Sequence, residues 1–270
     1  MRCAFWVLAA CYCTGVNAQH VFTQYVSIDK NTVLVDNLTI LDSMGAENKM
    51  MHMAAFDFTI SNAKNVQQLL QQLSAGMQAN KEMDICFSKY NTLQGKITEE
   101  RFYYSAILQQ IIVPAFNATA VRSTVKLRVF IRGIKTDAVV NPKSEVIIPK
   151  ADKVSNAMVS NFKLILGALP TNRVRMLQAM TVMIAAPGPV ATAAELVSID
   201  NAAWRQAFNN GAGQSIPEGR IELLSPNLRD VITTIYLYNI RLNSFRSSSG
   251  ANTISTVTYG MNVGKISLTK

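Results

Sequence analysis

Residues 122–135, RSTVKLRVFIRGIK, alternate apolar and basic side chains over more than a dozen positions. Successive side chains of an extended strand point to opposite faces, so this alternation marks a strand with one buried and one open face. Val125, Leu127, Val129 and Ile131 share the face that needs a core. Lys126, Arg128, Phe130 and Arg132 share the other, spaced about 7 Å apart along the chain. Arg122 and Lys135 extend the row, and Gly133 interrupts the run. A lone strand is not stable in water, so this segment requires a sheet around it.

Candidate sheet partners lie on both sides. Residues 21–28, 32–35, 38–41 and 53–60 are short β-branched or aromatic runs broken at Asp36 and Asn37, the pattern of a meander. Residues 231–242 and 253–268 are longer runs of the same kind, separated by the flexible stretch 247–250.

Helical spacing predominates elsewhere. Ser61 or Asn62 caps a helix whose Val66, Leu69, Leu70, Leu73 and Met77 fall on one face. A second helix is predicted from Thr98, presenting Phe102, Ala106, Ile107 and Ile111 before Pro114. Residues 151–210 read as helical throughout, with Val154, Met158, Phe162, Ile165 and Leu169 in one stripe. A nearly all-apolar central helix is expected between Val174 and Ala186. Thr192 and Glu195 form a capping box before Leu196, Ile199, Ala203 and Ala207. The expectation is an α+β fold: antiparallel strands from the N- and C-terminal regions around a central group of about five helices. Residues 19–270 would form a single α+β domain, with a sub-boundary near 136–150. No internal repeat is evident in the letters.

The N-terminus reads as a secretory signal peptide over residues 1–18. Arg2 is the basic start, an apolar run follows from Cys3 to Cys13, and Val16, Asn17 and Ala18 supply a cleavage point. That run is too short to span a bilayer as a helix of about 20 residues, so no integral span is expected after cleavage. Cleavage leaves Cys86 as the one cysteine, so the mature chain is held by its core and not by disulfides. Burial is the expected state of Cys86. Inside a secretory route the sequons at Asn37 and Asn117 are candidate glycosylation sites.

Charge sharpens the functional reading. Residues 120–180 carry 11 Lys and Arg against 3 Asp and Glu, nearly all of the net +9. A local excess of one sign favours an anionic partner, such as an acidic glycan or nucleic acid. The cations Lys143, Lys150, Lys153, Lys163, Arg173 and Arg175 are spread over loops and helices and read as ordinary surface charge. Overall only 16% of residues are charged, which suits a chain that buries surface against its own copies in a homo-oligomer.

Catalytic signatures are scarce. The chain lacks a Gly-x-Ser-x-Gly elbow, a phosphate loop and a His-Glu-x-x-His motif, and it has 2 histidines, His20 and His52. No cofactor is expected. One metal reading stands apart: cleavage after Gln19 would place His20 at the N-terminus, where its amine and ring could bind copper with His52 in a brace of an oxidase. Three functional classes follow. The first is a secreted, non-enzymatic structural or binding protein acting through self-association or an anionic partner at Arg122, Lys126, Arg128, Phe130, Arg132 and Lys135. The second is a viral coat or nucleocapsid protein that self-assembles and binds RNA in the virion. The third is the copper oxidase.

Overall fold

A computed structural model of the chain describes residues 22–29, 31–44, 51–77, 81–120, 124–137, 156–184, 186–198, 201–210, 215–248 and 254–269. The signal segment, His20, Arg122, Lys143, Lys150, Lys153 and most of the proposed sub-boundary lie outside the described residues.

Fifteen strands and two helices are present among them. The first sheet is built from β1 (Phe22–Ile28), β2 (Asn31–Val35), β3 (Asn37–Met44), β4 (Met51–Ile60), β5 (Glu82–Asn91), β6 (Lys96–Val113) and β8 (Val125–Asp137). Their order is β2-β1-β5-β6-β8-β4-β3. The second sheet contains β7 (Phe116–Asn117), β9 (Phe162–Leu166), β10 (Val174–Leu177), β12 (Val190–Val197), β13 (Ile216–Leu224), β14 (Val231–Ser248) and β15 (Thr256–Ser267). Their order is β7-β10-β12-β15-β14-β13-β9. One further strand, β11 (Met180–Met183), crosses to the first sheet and pairs with β6. Every strand pairing is antiparallel.

The expected α+β fold with about five central helices is therefore wrong: the protein is predominantly β. The helix foreseen from Asn62 exists as α1 (Ala63–Gly76). Asn62 Oδ1 accepts hydrogen bonds from the backbone N–H groups of Lys64 and Asn65 at 2.9 and 3.3 Å, and Val66, Leu69, Leu70 and Leu73 are buried. The helix expected from Thr98 is the 18-residue strand β6. Its buried hydrophobic residues are Tyr103, Ala106, Leu108, Ile111 and Val113, at steps of three, two, three and two. Register shifts between Tyr104 and Ile107, and between Leu108 and Gln110, cause this spacing. Each bulge skips a residue, so a bulged strand imitates helical periodicity.

The stretch 151–210 is corrected in the same way. Its described part forms β9 to β12, and α2 (Ala202–Asn209) is its one helix among the described residues. β11 alternates buried Met180 and Val182 with exposed Thr181 and Met183, but β10 and β11 have four residues each, too few to show a period, and their apolar letters imitate a central helix over 174–186. The pair Thr192 and Glu195 lies within β12 and caps nothing. Instead the Thr192 hydroxyl donates to the Gln178 carbonyl at 2.9 Å.

The two sheets repeat one plan. Substituting β9, β10, β12, β13, β14 and β15 for β1, β3, β4, β5, β6 and β8 turns the order β1-β5-β6-β8-β4-β3 into β9-β13-β14-β15-β12-β10. The helices obey the same correspondence, α1 following β4 and α2 following β12. The internal repeat absent from the letters is thus present in the topology. One continuous core runs through both sheets, from Val26 and Phe56 to Tyr259 and Leu268. Between the halves, β11 lies along β6, β7 lies along β10, and the Ala157 N–H donates to the Ser61 carbonyl at 2.6 Å.

Candidate functional site

The basic row lies on β8, between β6 and β4 in the first sheet. Val125, Leu127, Val129 and Ile131 are buried, as the alternation requires. Lys126, Arg128 and Arg132 are exposed on the opposite face, and Phe130 among them is half-buried. Thr59, Asp57, Ala55 and Met53 of β4 stand beside Lys126, Arg128, Phe130 and Arg132 respectively.

Arg128 is engaged. Its Nε and Nη2 donate to the two carboxylate oxygens of Asp57 at 2.5 and 2.6 Å. This fork holds the Asp57 carboxyl below the usual carboxylate range, outweighing the opposing effect of its partial burial, and pushes the Arg128 guanidinium upward. Asp57 carried a signal in the sequence, since it sits between Phe56 and Phe58 and must face outward with the cations. The sequence gives no register, so its partner was not readable there. A shallow depression of about 390 Å³ lies here, lined by Thr39, Asp57, Thr59, Ile112, Lys126 and Arg128 among others.

Lys135 does not join the row. It has the parity of Ile131 and turns to the inner face at the end of the sheet. There its Nζ donates to Asp42 Oδ2 at 2.6 Å. His52 Nδ1 lies 2.9 Å from the other Asp42 oxygen. Burial raises the Asp42 pKa, but the Lys135 and His52 contacts together outweigh it and leave the carboxyl below its ordinary value. Sequence reading placed Lys135 with an anionic ligand, and the fold gives it an internal carboxylate. Of the residues proposed for a common surface, the structure brings together Lys126, Arg128, Phe130 and Arg132.

The other candidates are dispersed. His52 has one ring nitrogen directed to Asp42. Among the described residues no group of three or more His, Cys, Asp or Glu side chains is arranged to hold a metal ion. Cys86 is half-buried, its Sγ 3.5 Å from Ser88 Oγ. Burial, together with the charge of Glu100, pushes the thiol up to about 11 against a smaller opposing effect of Ser88. It stays protonated at neutral pH and is a poor nucleophile. Asn37 is exposed at the start of β3. Asn117 is half-buried in β7, where its Oδ1 accepts from the Thr119 N–H and hydroxyl at 2.9 and 2.7 Å. No helix among the described residues is long and apolar enough to cross a membrane.

No protein-family model matches this chain, and no curated protein matches it significantly in sequence.

Proposed function

We propose that this chain is a non-enzymatic structural protein of the secretory or extracellular space that works by self-association. One observation carries the reading. The outer side of β3 and the far end of β14 are among the strand edges with no strand beside them among the described residues. Bare edges are templates for pairing with another chain. The low charged fraction of 16% is in keeping with surface that is covered in an assembly. Sedimentation velocity of the purified full chain over a range of concentrations tests it. Species larger than a monomer support the reading, and a monomer throughout overturns it.

A second reading, binding of an anionic partner, is favoured by the outward pair Lys126 and Arg132 flanking Phe130. Arginine and lysine neutralise phosphate or sulfate, and an aromatic ring can stack on a base or sugar. Retention on heparin or RNA at low salt should fall when Lys126 and Arg132 are both replaced by Gln. Unchanged retention removes this reading. A viral coat would use the same self-association in another setting. The N-terminus of the purified protein separates the two, since a start at Gln19 supports secretion and a retained Met1 or Arg2 supports the coat.

A further inference from the structure

The junction between the two sheets is a strand pairing with a defined register. β11 runs antiparallel along the far end of β6, with Met180 opposite Val113 and Met183 opposite Gln110. On its other side this stretch of β6 is held by β8, Ile112 lying opposite Arg128. The side given to β11 is open because β5 begins only at Glu82, opposite Ile107.

The repeat supplies each of these strands a second time. In the first sheet the buried residue Ile60 lies opposite the buried Val125, and two positions back Phe58 lies opposite both Leu38 and Leu127. In the second, buried Leu196 lies opposite buried Val257, and Ala194 lies opposite both Leu177 and Tyr259. Leu38 therefore corresponds to Leu177, and Leu127 to Tyr259. Three positions on, Leu41 of β3 corresponds to Met180 of β11. One position on, Arg128 corresponds to Gly260, which lies opposite Ser244 as Arg128 lies opposite Ile112. Hence Ile112 corresponds to Ser244, and Val113 to Phe245.

β14 also reproduces the open side of β6. It outruns β13, which begins at Ile216 opposite Ile240, and continues through 241–248 with β15 alone beside it among the described residues. Met180 and Val113, which meet inside the chain, are each 0% exposed. Their counterparts Leu41 and Phe245 are 55% and 37% exposed. Two edges that are joined within the chain thus recur as two edges that are bare, each carrying an exposed apolar side chain at the position that is buried in the internal junction.

We propose that residues 41–44 of β3 in one copy pair antiparallel with residues 241–245 of β14 in a second copy, Leu41 against Phe245, the bulge between Leu242 and Ser244 taking up the extra residue. This inference rests on the self-association reading and names its surface. The two edges differ, so the contact is head to tail, and repeating it builds a closed ring or a filament according to the rotation at each step. Main-chain hydrogen bonds supply the pairing and the two apolar side chains set the register.

The test uses the full chain with two variants, Leu41→Glu and Phe245→Glu, examined by sedimentation. Wild type is expected to form species beyond the dimer and each variant alone to lose them. An equimolar mixture should give a dimer and nothing larger, because each variant retains the edge the other lacks. Phe245 packs on Phe208 and Tyr259, with ring centroids 6.3 and 5.3 Å away, so Phe245→Glu carries a risk to folding. Hydrogen exchange on wild type needs no variant: amides in 241–248 should be protected in the assembly and exchange on dilution to monomers. A wild-type chain that is monomeric throughout removes the self-association reading and this inference together. Assembly that persists in Leu41→Glu, with 241–248 unprotected, overturns this junction alone.

Discussion

Ser105 and Asn239 are the left-handed residues of the long strand β6 and of its counterpart β14. Each has a positive φ, 46° and 55°, and each directly follows a tyrosine, Tyr104 or Tyr238. Asn239 faces Gly264 of the neighbouring strand, whereas Gly133 meets the residues on either side of Ser105, Tyr104 and Ala106. A Cβ on Gly133 would lie 3.0 Å from the Cα of Ala106, beside Ser105, and one on Gly264 would lie 3.0 Å from Asn239 Cβ. The left-handed conformation costs most residues about 1–2 kcal/mol, and Asn bears it better than Ser. Ser105→Gly should therefore stabilise the protein by about 0.5–1 kcal/mol, and Asn239→Gly by less. Denaturant midpoints of the two variants check the order, which a larger gain at Asn239 would contradict.

Asp42 should make stability depend on acid. Its folded pKa is depressed, so its contribution is present above the unfolded value near 3.9 and is lost as pH falls through the still lower folded value. Asp42→Asn removes a charged acceptor from Lys135 and His52 and should cost about 1.5–3 kcal/mol at neutral pH. The gap between variant and wild type should close below about pH 4, as followed by urea titrations at several pH values. A gap that is independent of pH would mean the carboxylate charge is irrelevant.

Asp57 should act as a brake on anion binding, because it occupies the Arg128 fork. Asp57→Asn should strengthen retention on heparin, and Arg128→Gln alone should weaken it less than Lys126→Gln or Arg132→Gln. Stability should change by no more than about 1 kcal/mol, since the pair is solvent-exposed. Salt elution points of the four variants provide the comparison, and weaker retention of Asp57→Asn would reverse the assignment.

Cys86 should be slow to alkylate. With its thiol pushed up to about 11, it holds roughly a hundredfold less thiolate at neutral pH than an ordinary cysteine. Iodoacetamide labelling of native protein should be correspondingly slow, and should reach the rate of a free thiol in urea. Equal rates in both states would show that burial does not protect it.

Much of the sheet was legible because regular alternation survives wherever a strand is straight. β8 and β4 were legible for that reason, the strands over 231–268 through their β-branched and aromatic residues, and α1 through its cap at Ser61 or Asn62 and its apolar stripe. β6 was lost because its bulges change the step between buried residues, and β10 and β11 because both are too short to show a period. The basic row was legible to the extent that parity decides it. Lys126, Arg128, Phe130 and Arg132 share a face as the letters say, and Lys135, an odd-numbered neighbour, does not.

The sequence alone determined which side chains along a strand share a face and where α1 begins, because those depend on residues two to four positions apart. Tertiary structure decided what each face meets. Asp57 and Arg128 are 71 positions apart, and Asp42 and Lys135 are 93 apart. Strand order and register bring them together, and these are set by the packing of the whole core. The repeat itself belongs to that level. It resides in which strand lies beside which, a property of long-range pairing that two halves can share without sharing their letters.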